Sequence, residues 1–109
     1  MTRTGDADVM PHGISQTVWN QIAAVLAAQP KITRVRLFGS RAKGQFRPAS
    51  DIDLCIDAEG LSLSEKFTLD HALDELLLPW KVDLVVWQMI DHVPLREHIE
   101  RMGVAIQPE

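Results

Sequence analysis

Residues 51–57 read Asp-Ile-Asp-Leu-Cys-Ile-Asp, an alternation with a period of two. Successive side chains of a strand point to opposite faces. Ile52, Leu54 and Ile56 therefore share one face, and Asp51, Asp53, Cys55 and Asp57 share the other. The first face is fit for a core. The second collects carboxylates.

Outward from this strand the chain is punctuated by breakers. Upstream, Gly44 to Ser50 reads as a loop with Gly44 and Pro48 as its turn residues. Before it, Ile32 to Phe38 reads as a strand, with Val35 and Leu37 on one side and Arg34 and Arg36 on the other. Gly39-Ser40 ends that strand, and a short helix runs through Ala42. Further back, Ser15 is placed to cap a helix reaching about Ala28, where Val18, Trp19, Ile22, Ala23, Val25 and Leu26 form one apolar face before Pro30.

Downstream, Ser62-x-x-Glu65 is a capping box. It opens a helix whose stripe is read as Phe67, Leu69, Ala72, Leu73, Leu76 and Leu77, stopped by Pro79. Val82 to Trp87 is the third strand. Pro94 suits the first turn of a last helix reaching Met102, Gly103 closes it, and Val104 to Ile106 adds a short edge strand. This order predicts an α/β (α+β) domain: a small mixed sheet with helices packed on it.

The 109 residues suffice for one domain, and 46% hydrophobic content supplies a core. Residues 1–13, broken by Gly5, Pro11 and Gly13, are expected to form a flexible tail, and 14–109 the domain. The formal net charge of -4 argues against bulk electrostatic binding of nucleic acid. Cys55 is the single cysteine, which excludes an internal disulfide and fits a reducing compartment. No signal peptide or membrane-spanning run is visible, so a cytoplasmic location with no membrane partner is expected.

Three features carry chemistry. Gly39-Ser40 pairs a residue that allows close backbone approach with a hydroxyl beside the N–H groups of a helix start, a place suited to phosphate. Asp51 and Asp53 are close enough to repel, and a hard divalent cation with oxygen ligands would relieve them. Asp83 enters a strand otherwise made of Val82, Leu84, Val85 and Val86, where an ionised group needs a partner or a metal. Each has a bland reading as well: a common turn, a solvated strand face, an edge carboxylate. Together, three carboxylates facing a Gly-Ser turn can hold two metal ions for an in-line displacement at phosphorus, with Asp83 as the candidate general base.

Gly39-Ser40-Arg41-Ala42-Lys43-Gly44, then Arg47, then Ser50-Asp51-Ile52-Asp53-Leu54, resembles the signature of the polymerase-beta-like nucleotidyltransferase superfamily. Lys81-Val82-Asp83-Leu84-Val85 is similar to the strand that brings that signature its third carboxylate. The likeness runs from about residue 15 to 106 and is nearest to the minimal nucleotidyltransferase group. It implies a nucleotidyltransferase fold, ATP as substrate and a two-metal Mg2+ site on Asp51, Asp53 and Asp83. It also implies a partner, a HEPN-type toxin encoded nearby, silenced by transfer of AMP to a tyrosine hydroxyl. The sequence contains no tyrosine, so a tyrosine acceptor would lie on another molecule. No second domain for a small acceptor or a nucleic acid is seen. A binding-only antitoxin and an enzyme acting on a small molecule or an RNA end are the alternatives.

Arg41, Lys43 and Arg47 follow the Gly-Ser turn and are expected to contact the triphosphate, because an acidic chain holding polyphosphate needs local positive charge. Asp57 is read as solvent-facing. Cys55 is read as a packing residue, and His12, His71, His92 and His98 as ordinary histidines without metal spacing. Trp80, in a turn after Pro79, is the tryptophan expected to be most exposed.

Overall fold

Ser15 caps the first helix, α1 (Gln16–Ala27), by accepting from the Val18 N–H at 3.1 Å. The structure, a computed structural model, describes residues 12–44, 47 and 50–106. Most of the expected tail, with Gly5 and Pro11, and the turn residue Pro48 lie outside the described residues. After α1 come β1 (Arg34–Phe38), α2 (Ser40–Lys43), β2 (Ile52–Asp57), α3 (Leu63–Asp74), β3 (Val82–Val86), a 3-10 turn at Trp87–Met89, α4 (Val93–Met102) and β4 (Val104–Ile106).

The strands form one sheet in the order β3-β2-β1-β4. β1 is antiparallel to β2 and β4, and β2 is parallel to β3. Parallel neighbours need a crossover, and α3 provides it. The Ser62 side chain accepts from the Glu65 N–H at 3.1 Å, and Glu65 accepts from the Ser62 N–H at 2.9 Å, so the capping box is formed.

Alternation in β2 decides which face meets which helices. Ile52, Leu54 and Ile56 are fully buried under α1 and α3, against Ile22, Leu26, Leu69 and Leu73. The opposite face is covered in its middle by α4. There Cys55 and Phe38 pack with Ile90 and Ile99 in a second apolar cluster. The carboxylate face is thus not open along its length. Cys55 is sealed, as a packing residue, while Asp53 and Asp57 are half-buried on either side of that cover.

Several side chains differ from the sequence expectation. Phe67 is exposed, because on a helix it lies about 200° round from Leu69. Leu77 falls beyond the end of α3, adopts a left-handed φ of 54° and is also exposed. Asp57 is not simply solvent-facing: Arg34 and Arg36 pair with it at 3.2 and 3.1 Å. Arg36 is buried and lies 4.6 Å from the Trp87 ring, whose centroid is also 4.3 Å from Arg96. This stack fastens α4 to β1. Trp80 is half-buried, with the Arg41 guanidinium 5.8 Å from its ring. Gly103 closes α4 as expected, in an extended conformation with φ -66°. Its lack of a side chain is needed for space, since an added Cβ would meet the Ile99 carbonyl. Among the described residues no helix is long and apolar enough to cross a membrane.

Candidate active site

The end of β1, the start of β2 and the start of β3 meet at one edge of the molecule. Phe38 faces Asp53 across the antiparallel ladder, and Asp53 faces Asp83 across the parallel one. The Ile52 N–H donates to the Lys81 carbonyl at 2.9 Å, which fixes the two strand starts in register. The chain leaves β1 through Gly39 at φ 81°, a left-handed value that favours glycine. That turn carries the backbone directly over the Asp53 carboxylate. A Cβ on Gly39 would collide with Oδ2 of Asp53. Ser40, half-buried, opens α2 at this point, and Gly44 ends α2 with φ 75°.

The structure brings Gly39, Ser40, Asp53 and Asp83 together. Asp51 stands just ahead of β2 and is exposed. Asp83 is exposed too, contrary to the expectation of a carboxylate entering a buried strand. The reason is topological: β3 is the outer strand of the sheet, so its start has a neighbour on one side only.

Electrostatic strain concentrates on Asp53. Burial pushes its carboxyl above the usual range, and the charges of Asp83 and Asp51 push it further. His98 and Lys81 act in the opposite direction. This all-oxygen donor set suits a hard divalent cation, which would offset the mutual repulsion. As they stand, no three His, Cys, Asp or Glu side chains among the described residues are gathered closely enough to hold a metal.

The basic residues after the turn divide. Arg41 faces inward and is almost wholly buried. Its Nε and Nη2 donate to the Ser50 carbonyl at 3.2 and 2.9 Å, and Nη1 donates to the His12 carbonyl at 2.9 Å. It braces the segment that leads into Asp51, a different place from the one expected of a triphosphate ligand. Lys43 and Arg47 are exposed. The Arg47 N–H donates to Ser50 Oγ at 2.8 Å, and the Ser50 N–H donates back to the Arg47 carbonyl at 2.9 Å.

Two residues at the site had no role assigned to them from the sequence: Lys81, quoted only as part of the Asp83 strand, and His98, read as an ordinary histidine. Lys81 precedes Asp83 by two positions, and that spacing in extended chain was the available signal. His98 comes from α4 and meets the Phe38 ring edge-on, centroids 6.2 Å apart. No local pattern announces it, because its position depends on how α4 crosses the sheet.

The sequence pattern described as Polymerase beta, Nucleotidyltransferase matches residues 20–108. A Haemophilus influenzae protein named "Probable protein adenylyltransferase MntA" is 41% identical over 71 residues, 64% of this chain and 61% of that protein. The chain thus matches less than two thirds of that relative's length. A toxin–antitoxin crystal structure with AMP-PNP superposes with a TM-score of 0.68 at 28% identity, covering 84% of this chain and 73% of that one. A structure of a tri-AMPylated Shewanella oneidensis HEPN toxin with its MNT antitoxin superposes with a TM-score of 0.64 at 26% identity, covering 86% and 72%.

Proposed function

We propose that this chain, which belongs to the polymerase beta nucleotidyltransferase family, transfers AMP from ATP to a hydroxyl of a HEPN-class toxin and silences it as the antitoxin. The observation that carries this reading is the convergence of Gly39, Ser40, Asp53 and Asp83 at one end of the sheet. The names of the relatives supply the acceptor: one is called a protein adenylyltransferase, and another is an MNT antitoxin bound to an AMPylated HEPN toxin. In this reading the acceptor lies on the partner, in keeping with a sequence that holds no tyrosine.

In this reading the open backbone at Gly39 and the Ser40 hydroxyl donate hydrogen bonds to phosphate oxygens. Asp51, Asp53 and Asp83 would hold Mg2+, which when bound stabilises charge on the attacking and leaving oxygens. The acceptor oxygen attacks the α-phosphorus of ATP. The bond from that phosphorus to the bridging oxygen of the pyrophosphate breaks, and pyrophosphate leaves. Asp83, the most accessible carboxylate of the cross-strand pair, takes the hydroxyl proton. Lys43 and Arg47 are free to meet the outer phosphates, while Arg41 holds the loop.

Incubation of the chain with its toxin partner, Mg2+ and ATP labelled in the α- or the γ-phosphate tests this. Label is expected on the partner from the α-position only. Absence of α-label, or transfer of γ-label, contradicts the proposal.

A further inference from the structure

A polyphosphate placed beside three carboxylates needs cationic groups from the protein as well as metal ions. The motif offers Arg41 first, but its guanidinium is spent on the Ser50 and His12 carbonyls. Two other side chains stand where that charge is wanted. Lys81 is exposed, shares the face of Asp83 by its two-residue spacing, and is tied to the start of β2 through its carbonyl. His98 is half-buried on α4. The packing of Ile99 and Leu95 against the Phe38 and Cys55 cluster sets the helix over the sheet. The His98 ring then rests edge-on against Phe38, the residue that faces Asp53 and immediately precedes Gly39.

We infer that Lys81 and His98 are further phosphate contacts of this site, Lys81 as a point charge and His98 as a ring N–H donor, flanking Asp53 where Arg41 does not reach. The geometry is consistent with the electrostatics, because these are the two groups that draw the Asp53 carboxyl back toward its ordinary value. Neither side chain has a hydrogen bond or ion pair of its own among the described residues that would hold it elsewhere. The inference rests on the reading of the site as a nucleotide site. It adds which residues grip the phosphates.

Calorimetric titration of the full chain with MgATP tests it, using K81A, H98A, H98Q and K81R. K81A and H98A are each expected to weaken binding about five- to tenfold, as loss of a charge-assisted contact does, with unchanged thermal midpoints. H98Q and K81R keep a donor and a charge, and are expected to recover most of that loss. In AMP transfer the same factor should fall on the KM for ATP rather than on kcat. Wild-type affinity in both alanine variants overturns the pair. So does an H98A loss that H98Q does not rescue and that comes with a lowered thermal midpoint. If the wild-type chain itself fails to bind MgATP, the nucleotide reading falls as well. If it binds and the variants match it, only the assignment of Lys81 and His98 falls.

Discussion

Gly39 and Asp53 lie so close that one methyl group on the glycine would occupy the space of the aspartate carboxylate. The Gly-Ser turn and the acidic strand are therefore in contact, and each limits what the other can become. Gly39→Ala must either displace Asp53 or break the turn, whose φ of 81° also disfavours a side chain. It is expected to cost about 1–3 kcal/mol of stability and about a hundredfold in transfer rate. Thermal melting and AMP-transfer kinetics on the same preparation check both.

Asp53 itself should be a residue that the fold tolerates at a cost. Its carboxyl is raised above the ordinary value, first by burial and then by Asp83 and Asp51. A carboxyl raised in the folded state favours folding when protonated, so its ionised form weakens the fold at neutral pH. Asp53→Asn is expected to raise the thermal midpoint at neutral pH. That gain should shrink as the pH falls through the raised pKa, where the wild-type group takes up its proton. Transfer should fall by at least about a hundredfold, comparable to losing a principal transition-state contact. Melting curves at neutral and acid pH, beside a transfer assay, give the sign directly.

Much of this site was legible in the chain, and what was not has a physical cause. The alternation in Asp51 to Asp57 located both faces of β2, and Ser62-x-x-Glu65 located the start of α3. Such signals are local. The exposure of Asp83 depends on β3 being the outer strand, which no pattern within β3 records. Arg41 follows the Gly-Ser turn as a phosphate ligand would. Its side chain turns inward because the Ser50 and His12 carbonyls lie there, 9 and 29 residues away in sequence. His98 reaches the site by the same kind of distant packing.

Arg41 gives a prediction that separates bracing from binding. Arg41→Gln removes the charge-assisted hydrogen bonds to Ser50 and His12. It is expected to lose about 2 kcal/mol of stability. At a temperature where the variant stays folded, its MgATP affinity should remain near wild type. Denaturant unfolding with a parallel titration distinguishes the two roles, and a large loss of affinity at unchanged stability would return Arg41 to the phosphates.

Cys55 should be chemically quiet in the native protein. Burial pushes its thiol up to about 11, so little thiolate exists at neutral or mildly alkaline pH. The side chain is also sealed beneath α4 with Phe38 and Ile99. Iodoacetamide at mildly alkaline pH is expected to leave the native chain unmodified over a time in which the denatured chain is fully alkylated. Mass spectrometry of both reads the result.

In the proposed function, silencing of the toxin is a covalent act that depends on Asp51, Asp53 and Asp83. The most direct measurement is the intact mass of the HEPN-class toxin after incubation with this chain, ATP and Mg2+, beside its residual toxic activity. Added mass in whole AMP units is expected on a hydroxyl residue, with activity lost in step and both effects abolished by Asp51→Asn/Asp53→Asn. An unmodified toxin that is nonetheless fully silenced, equally well by that double variant, would contradict it.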